Sequence, residues 1–146
     1  MEIREIVEPV KKREVPTVSE ACSLEAVMNT MLNFQHSRLV YVVNEKKELI
    51  GTISLDILVR QLLPHKFEPR IHPRRLLEMV THEIARDIML KNPITATEDE
   101  DVERVLQRMI DADVNEIAIL NAERKIITDL TMLDLLKSLP DLEKNI

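Results

Sequence analysis

The sequence predicts an α/β (α+β) fold built from two tandem β-α-β-β-α repeats packed about a pseudo-two-fold axis. Three observations carry this expectation. The apolar spacing i, i+3, i+4, i+7, i+8 occurs twice, at Leu24, Val27, Met28, Met31 and Leu32 and at Val102, Val105, Leu106, Met109 and Ile110, and that spacing marks one face of an amphipathic helix. Each such helix is followed by an apolar run, a five-residue polar loop and a second apolar run, at 40–43, 44–48 and 49–53 and at 117–120, 121–125 and 126–130. The register is constant: Leu24 and Val102 are 102 − 24 = 78 positions apart, and Ser54 and Thr131 are 131 − 54 = 77 apart, with one extra residue between 33 and 39 in the first copy. Self-similarity of this kind indicates an internal duplication.

Residues 2–7 read as a short helix that Pro9 ends, followed by a polar connector, and Pro16 biases the piece at 15–18 toward extended backbone. Ser23 is placed to cap the first long helix. The β-branched run at 40–43 reads as a buried strand, joined to a second strand at 49–53, and Ser54 caps a helix that Pro64 stops. Residues 64–84 belong to neither copy; Pro73 is read as a first-turn proline of a short helix over 74–84. The second copy starts at Ala85. Asn92 to Ala96 is extended, Asp99, Glu100 and Asp101 crowd the start of the next helix, and Thr131 opens the last helix, which runs to Leu139 and stops at Pro140. The expected organisation is repeat 1 over 1–63, a connecting segment over 64–84, repeat 2 over 85–140 and a tail over 141–146.

Composition narrows the function. Hydrophobic residues make up 45% and aromatics only 2%, so the core is aliphatic and filled with methionine. The apolar runs are far shorter than a membrane span, and the acidic, amphipathic N-terminus lacks the regions of a signal peptide, so a cytoplasmic protein with no membrane partner is expected. A net charge of −6 argues against nucleic-acid affinity, and the clusters Lys11-Lys12-Arg13 and Arg70 to Arg75 read first as solvated surface, with a contact to phosphate or a partner as the alternative. Cys22 is a single cysteine with no histidine near it in sequence, which reads as a small buried residue rather than a nucleophile. The histidines His36, His65, His72 and His82 lack ligand spacing, so no metal is expected. One glycine in the chain excludes a P-loop, a dinucleotide fingerprint and a Gly-x-Ser-x-Gly elbow.

The stretch with most chemistry is the strand-to-helix junction at Thr131. Its hydroxyl can cap the helix, and Asp134 falls in the first turn, where the dipole favours a carboxylate. A hydroxyl and a carboxylate at this spacing suit a sugar-phosphate. The first copy repeats the design as Gly51-Thr52-Ile53-Ser54-Leu55-Asp56-Ile57 against Thr128-Asp129-Leu130-Thr131-Met132-Leu133-Asp134.

With Pro93-Ile94-Thr95 as an opening strand and glycine-x-apolar-Ser/Thr-x-x-Asp as the closing motif, residues 2–139 resemble a tandem pair of CBS domains, a Bateman module. The resemblance implies a regulatory sensor, not an enzyme. It implies no required cofactor and a possible adenine nucleotide ligand: AMP, ADP, ATP or S-adenosylmethionine in a cleft between repeats, the aspartate on ribose hydroxyls and the Ser/Thr toward phosphate. Carried to this chain, it implies a site of Thr131 and Asp134 with Ile94, Thr95, Asn115, Glu116 and Ile117 as walls. It also implies a second, degenerate site of Gly51, Ser54, Thr17 and Arg38. There the aspartate position is Ile57, and Asp56 lies one residue early, about 100° away around the helix; in copy two the motif glycine is Thr128. A homodimer, or a partner protein regulated in trans, is implied as the output. Stripes at Leu24, Met28 and Met31 and at Leu135, Leu136 and Leu139 are the expected dimer faces. A ligand-free dimerising module with vestigial sites is the alternative.

Overall fold

The computed structural model describes residues 1–34, 37–63 and 83–138. The four histidines, the basic cluster at 70–75, Leu139 and most of the connecting segment lie outside the described residues. The chain forms two compact units, residues 16–93 and residues 1–15 with 94–146. The units therefore cut across the sequence repeats: each lead segment belongs with the other copy's sheet.

In the unit of 16–93, β1 (Thr17–Ser19) pairs in parallel with β2 (Leu39–Val43), β2 pairs antiparallel with β3 (Leu49–Ser54), and β3 pairs antiparallel with β4 (Leu90–Lys91). Helix α2 (Leu24–Asn33) starts where the Ser23 hydroxyl accepts the Ala26 N–H at 3.1 Å, and α3 (Leu55–Leu62) where the Ser54 hydroxyl accepts the Ile57 N–H at 3.2 Å. Between β3 and β4 comes α4 (Ala85–Ile88). The expected helix over 74–84 lies, up to residue 82, outside the described residues; Ile84 itself is extended, gives its N–H to the Asp87 carboxylate at 2.9 Å and bridges Ser23. Val18, Val27, Met31, Val40, Val42, Ile53, Leu58 and Ala85 form the core.

The second unit repeats the plan. β5 (Thr95–Ala96) runs parallel to β6 (Glu116–Leu120), which pairs antiparallel with β7 (Ile126–Thr131); α5 (Val102–Ala112) and α6 (Met132–Leu136) follow β5 and β7. Helix α1 (Ile3–Val7) packs here, with Ile3 and Val7 in a core that also holds Val102, Val105, Met109, Ile117, Ile119, Leu130 and Leu135. The correspondence extends to single hydrogen bonds. Ile3 and Arg4 donate to the carbonyls of Glu100 and Glu98 at 2.9 Å, as Ala85 and Arg86 donate to Cys22 and Glu20 at 2.9 and 3.0 Å. Both hairpins carry a register shift at the same place, between Val42 and Val43 and between Ile119 and Leu120.

Two expectations about helix faces are corrected. Leu24, Met31 and Leu135 are buried, and Met28 packs against the core, so these residues hold their own units together and cannot form an outer face. Leu136 of the expected stripe is exposed, as is Val59 at the matching position of α3, and Leu32 and Ile110 are exposed at matching positions of α2 and α5.

Candidate functional site

Strand β7 ends and α6 begins at Thr131, whose backbone is still extended (φ −97°, ψ 161°). Its hydroxyl accepts the Asp134 N–H at 3.1 Å, and the Asp134 carboxylate accepts the Thr131 N–H at 2.9 Å and its hydroxyl at 3.1 Å. This reciprocal capping box satisfies donors that the first helical turn would leave unpaired. The next residue is held from the neighbouring strand, where the Asn115 carbonyl accepts the Met132 N–H at 2.7 Å. Glu116 stands opposite Thr131 across the hairpin.

A residue read from the sequence as solvated surface completes the junction. Arg13 reaches the Asp134 carboxylate with both fork nitrogens, Nη1 to Oδ2 at 2.9 Å and Nη2 to Oδ1 at 3.2 Å, and Nη1 also meets the Asp129 carbonyl at 3.4 Å. A two-point guanidinium–carboxylate pair is directional as well as charged. The Arg13 side chain is 33% exposed and that of Asp134 11%. Burial works against an ionised Asp134, but the Arg13 guanidinium and the Thr131 N–H and hydroxyl outweigh it and hold the carboxyl below its usual range. The Asp134 hydrogen bond in turn pushes the Arg13 pKa up.

Asp129 behaves in the opposite way. It lies on the same face of β7 as Thr131, only 5% exposed, and burial followed by the charge of Glu116 pushes its pKa from 3.8 to about 6, with Arg13 opposing. The charges of Asp129 and Asp134 thus both act on the Arg13 guanidinium, while Glu116 acts on Asp129. Sequence reading missed both Arg13 and Asp129. The basic run at 11–13 was the available signal, but the partners of the ion pair are 121 residues apart.

The remaining expected residues divide by face. Ile117 is buried in the core and Ile94 packs against it. Thr95 pairs with Ala118, and its carbonyl accepts Arg108 Nη1 at 2.6 Å. In the other unit, Ser54 caps α3, and the Arg38 carbonyl accepts the Leu55 N–H at 2.8 Å, the counterpart of Asn115 and Met132. Thr17 pairs with Tyr41. Ile57 packs against the core and Asp56 is exposed, so no carboxylate stands where Asp134 does. Gly51 has a packing reason: a Cβ there would collide with Met89 Sδ, sit 2.8 Å from its Cγ and lie 3.0 Å from the Leu90 carbonyl. Thr128, its counterpart, is fully buried, with its hydroxyl 3.4 Å from the Val10 carbonyl.

Elsewhere, an open groove of about 1010 Å³ runs along α5, lined by Ile94, Asp101, Arg104 and Gln107 and by Arg108, which is tied to Glu100 at 2.6 Å. Cys22 is half-buried, and burial pushes its thiol up, away from the reactive thiolate. Among the described residues no group of three or more His, Cys, Asp or Glu side chains is arranged to hold a metal, and no helix is long and apolar enough to cross a membrane.

Comparison with known proteins agrees with this architecture. An uncharacterised protein of Methanopyrus kandleri is 33% identical over 101 residues, covering 69% of this chain and 46% of its own length. The chain spans about half the length of the curated relatives it matches. Among solved structures, a CBS-domain-containing protein from Thermotoga maritima superposes with a TM-score of 0.75 at 23% identity, covering 97% of this chain and 95% of that one. The CBS domain pair of protein MJ0100, solved with 5′-methylthioadenosine and S-adenosyl-L-methionine, gives a TM-score of 0.70 at 17% identity over 97% and 98% of the two chains. The CBS domain family model matches residues 3–64 and 85–141. This chain belongs to the CBS-domain family, as a tandem pair.

Proposed function

We propose that the protein is a regulatory module that senses an adenosine derivative at the Thr131/Asp134 junction and passes its state to a second copy or a partner protein. The observation that carries this reading is the Asp134 carboxylate: ionised, largely buried and fixed in direction by the Thr131 cap. A carboxylate so held can take two vicinal hydroxyls of a ribose, with Thr131 beside it and Asn115 and Glu116 as the proposed neighbouring wall. The solved pair MJ0100 carries adenosine compounds, which favours the same ligand class here. The role is regulatory rather than catalytic, and no cofactor is needed for it. Only one site per chain is expected to be competent, since Ile57 replaces the aspartate in the other copy.

A second reading is favoured by the same geometry. Asp134 already has a two-point partner in Arg13, and the matched exposed apolar residues of α2, α5, α3 and α6 suit a dimer that needs no ligand.

A thermal-shift panel of AMP, ADP, ATP, S-adenosylmethionine and 5′-methylthioadenosine on the parent protein and on Asp134→Asn separates the two. A ligand at a hundred times its Kd stabilises by about 2.7 kcal/mol. The sensor reading expects a rise in Tm for the parent that is lost in Asp134→Asn. No rise with any compound would transfer the conclusion to the ligand-free dimer.

A further inference from the structure

The Arg13–Asp134 pair bears on which ligand the junction accepts. A ribose that binds the carboxylate competes with the guanidinium for the same two oxygens, Oδ1 and Oδ2. Displacing Arg13 has two consequences. The arginine loses its two-point partner. The carboxylates of Asp134 and Asp129 lose the cation that acts on both, and Glu116 is left to act on Asp129 unopposed by it. A neutral nucleoside repairs neither loss. A cationic one answers the acids but leaves the guanidinium unpaired. A ligand with an anionic group beside its diol repairs both: the diol takes Asp134, and the released fork closes on a phosphate, which it fits in the same bidentate way.

We propose that Arg13 is a specificity-determining residue, a resident competitor for Asp134 that gives way to nucleoside phosphates and holds out neutral and cationic nucleosides. The inference rests on the sensor reading above and adds a charge rule to it. The rule depends on the residue that comes with α1, not on the closing motif of the repeat. Arg13 lies in the Lys11-Lys12-Arg13 run just ahead of β1, in the lead segment that packs with β5–β7, so changes in that segment alter selectivity while Thr131 and Asp134 stay intact.

The test is isothermal titration of AMP, adenosine and 5′-amino-5′-deoxyadenosine, a nucleoside whose only charge is a cation, at one fixed ionic strength, into the parent protein, Arg13→Gln, Arg13→Lys and Asp134→Asn. The parent is expected to bind AMP at least about tenfold more tightly than the other two, the factor that one charge-assisted pair typically confers. In Arg13→Gln, adenosine and 5′-amino-5′-deoxyadenosine should tighten about tenfold while AMP does not, so that the preference collapses. Arg13→Lys keeps the charge without the fork and should keep AMP ahead. That variant also tests the proposal should the glutamine variant fold poorly, because loss of the preference there would overturn it. An unchanged ratio of affinities in Arg13→Gln, with binding still lost in Asp134→Asn, overturns the charge rule and leaves the sensor reading standing. Binding that survives in Asp134→Asn, or binding by none of the four proteins, overturns both. A purely structural role for Arg13 would shift all three ligands together and leave their ratio fixed.

Discussion

Two aspartates five residues apart, Asp129 and Asp134, make opposite contributions to stability. Asp134 is held below its usual range, so it stabilises the fold at neutral pH and that contribution is lost as pH falls through its folded value. Asp129 is raised to about 6. Below pH 4 it is protonated in both folded and unfolded chains and contributes nothing. Between about pH 4 and 6 the folded protein retains a proton the unfolded chain has released, so stability falls as pH rises. The interval from 3.8 to about 6 corresponds to at most about 3 kcal/mol at neutral pH. Asp129→Asn is therefore expected to raise the urea midpoint at pH 7 and to match the parent near pH 4; equal midpoints at both pH values would show that burial of Asp129 costs nothing. The capping residues Ser23, Ser54 and Thr131 were legible because a cap acts over three positions. Arg13 was not, because its partner is distant in sequence and nothing local separates a paired arginine from a solvated one. Asp129 sits at an ordinary alternation position of a strand, and its burial comes from tertiary packing.

At the scale of elements, the helix faces and paired strands followed from apolar spacing, while the short edge strand β4 did not. Two residues, Leu90 and Lys91, have no period to detect, and both are exposed. They find β3 because Gly51 leaves room for Met89 and the Leu90 carbonyl. In the other unit the same position is Thr128, which faces the Val10 carbonyl instead. One motif position thus serves two packing solutions. Gly51→Ala would gain about 0.4–1 kcal/mol of unfolded-chain entropy, but crowding Met89 and the edge strand costs about 1–3 kcal/mol. Net destabilisation is expected, and Met89→Ala should restore part of it. A double-mutant cycle on the denaturation free energies measures that coupling, and full additivity would break the assignment.

At the scale of the whole molecule, the matched exposure of Leu32 (63%) and Ile110 (56%) is a feature of the duplication itself: the same helix position is apolar and uncovered in both copies. The homodimer proposed as the output of the module would cover such residues. Sedimentation equilibrium is expected to give a dimer for the parent and a monomer for Leu32→Glu combined with Ile110→Glu, with little change in far-UV circular dichroism. A monomeric parent would remove the dimer and leave regulation of a partner in trans. Sequence periodicity identified these two residues as apolar, but not as exposed, because a five-position stripe is wider than the face each helix buries.

The exchanged lead segments also set an order of events during biosynthesis. The unit of 16–93 is continuous, so all its residues are available before the ribosome reaches the second hairpin. The unit that holds α1 is split between the two ends of the chain. Arg13 must wait for a partner 121 residues later, a delay on the order of ten seconds at typical elongation rates. For that interval Ile3 and Val7, buried in the finished protein, lack the residues from 96 to 135 that complete their core. Residues 1–15 are made well before the strands they pack with, and closing that long loop waits for those strands.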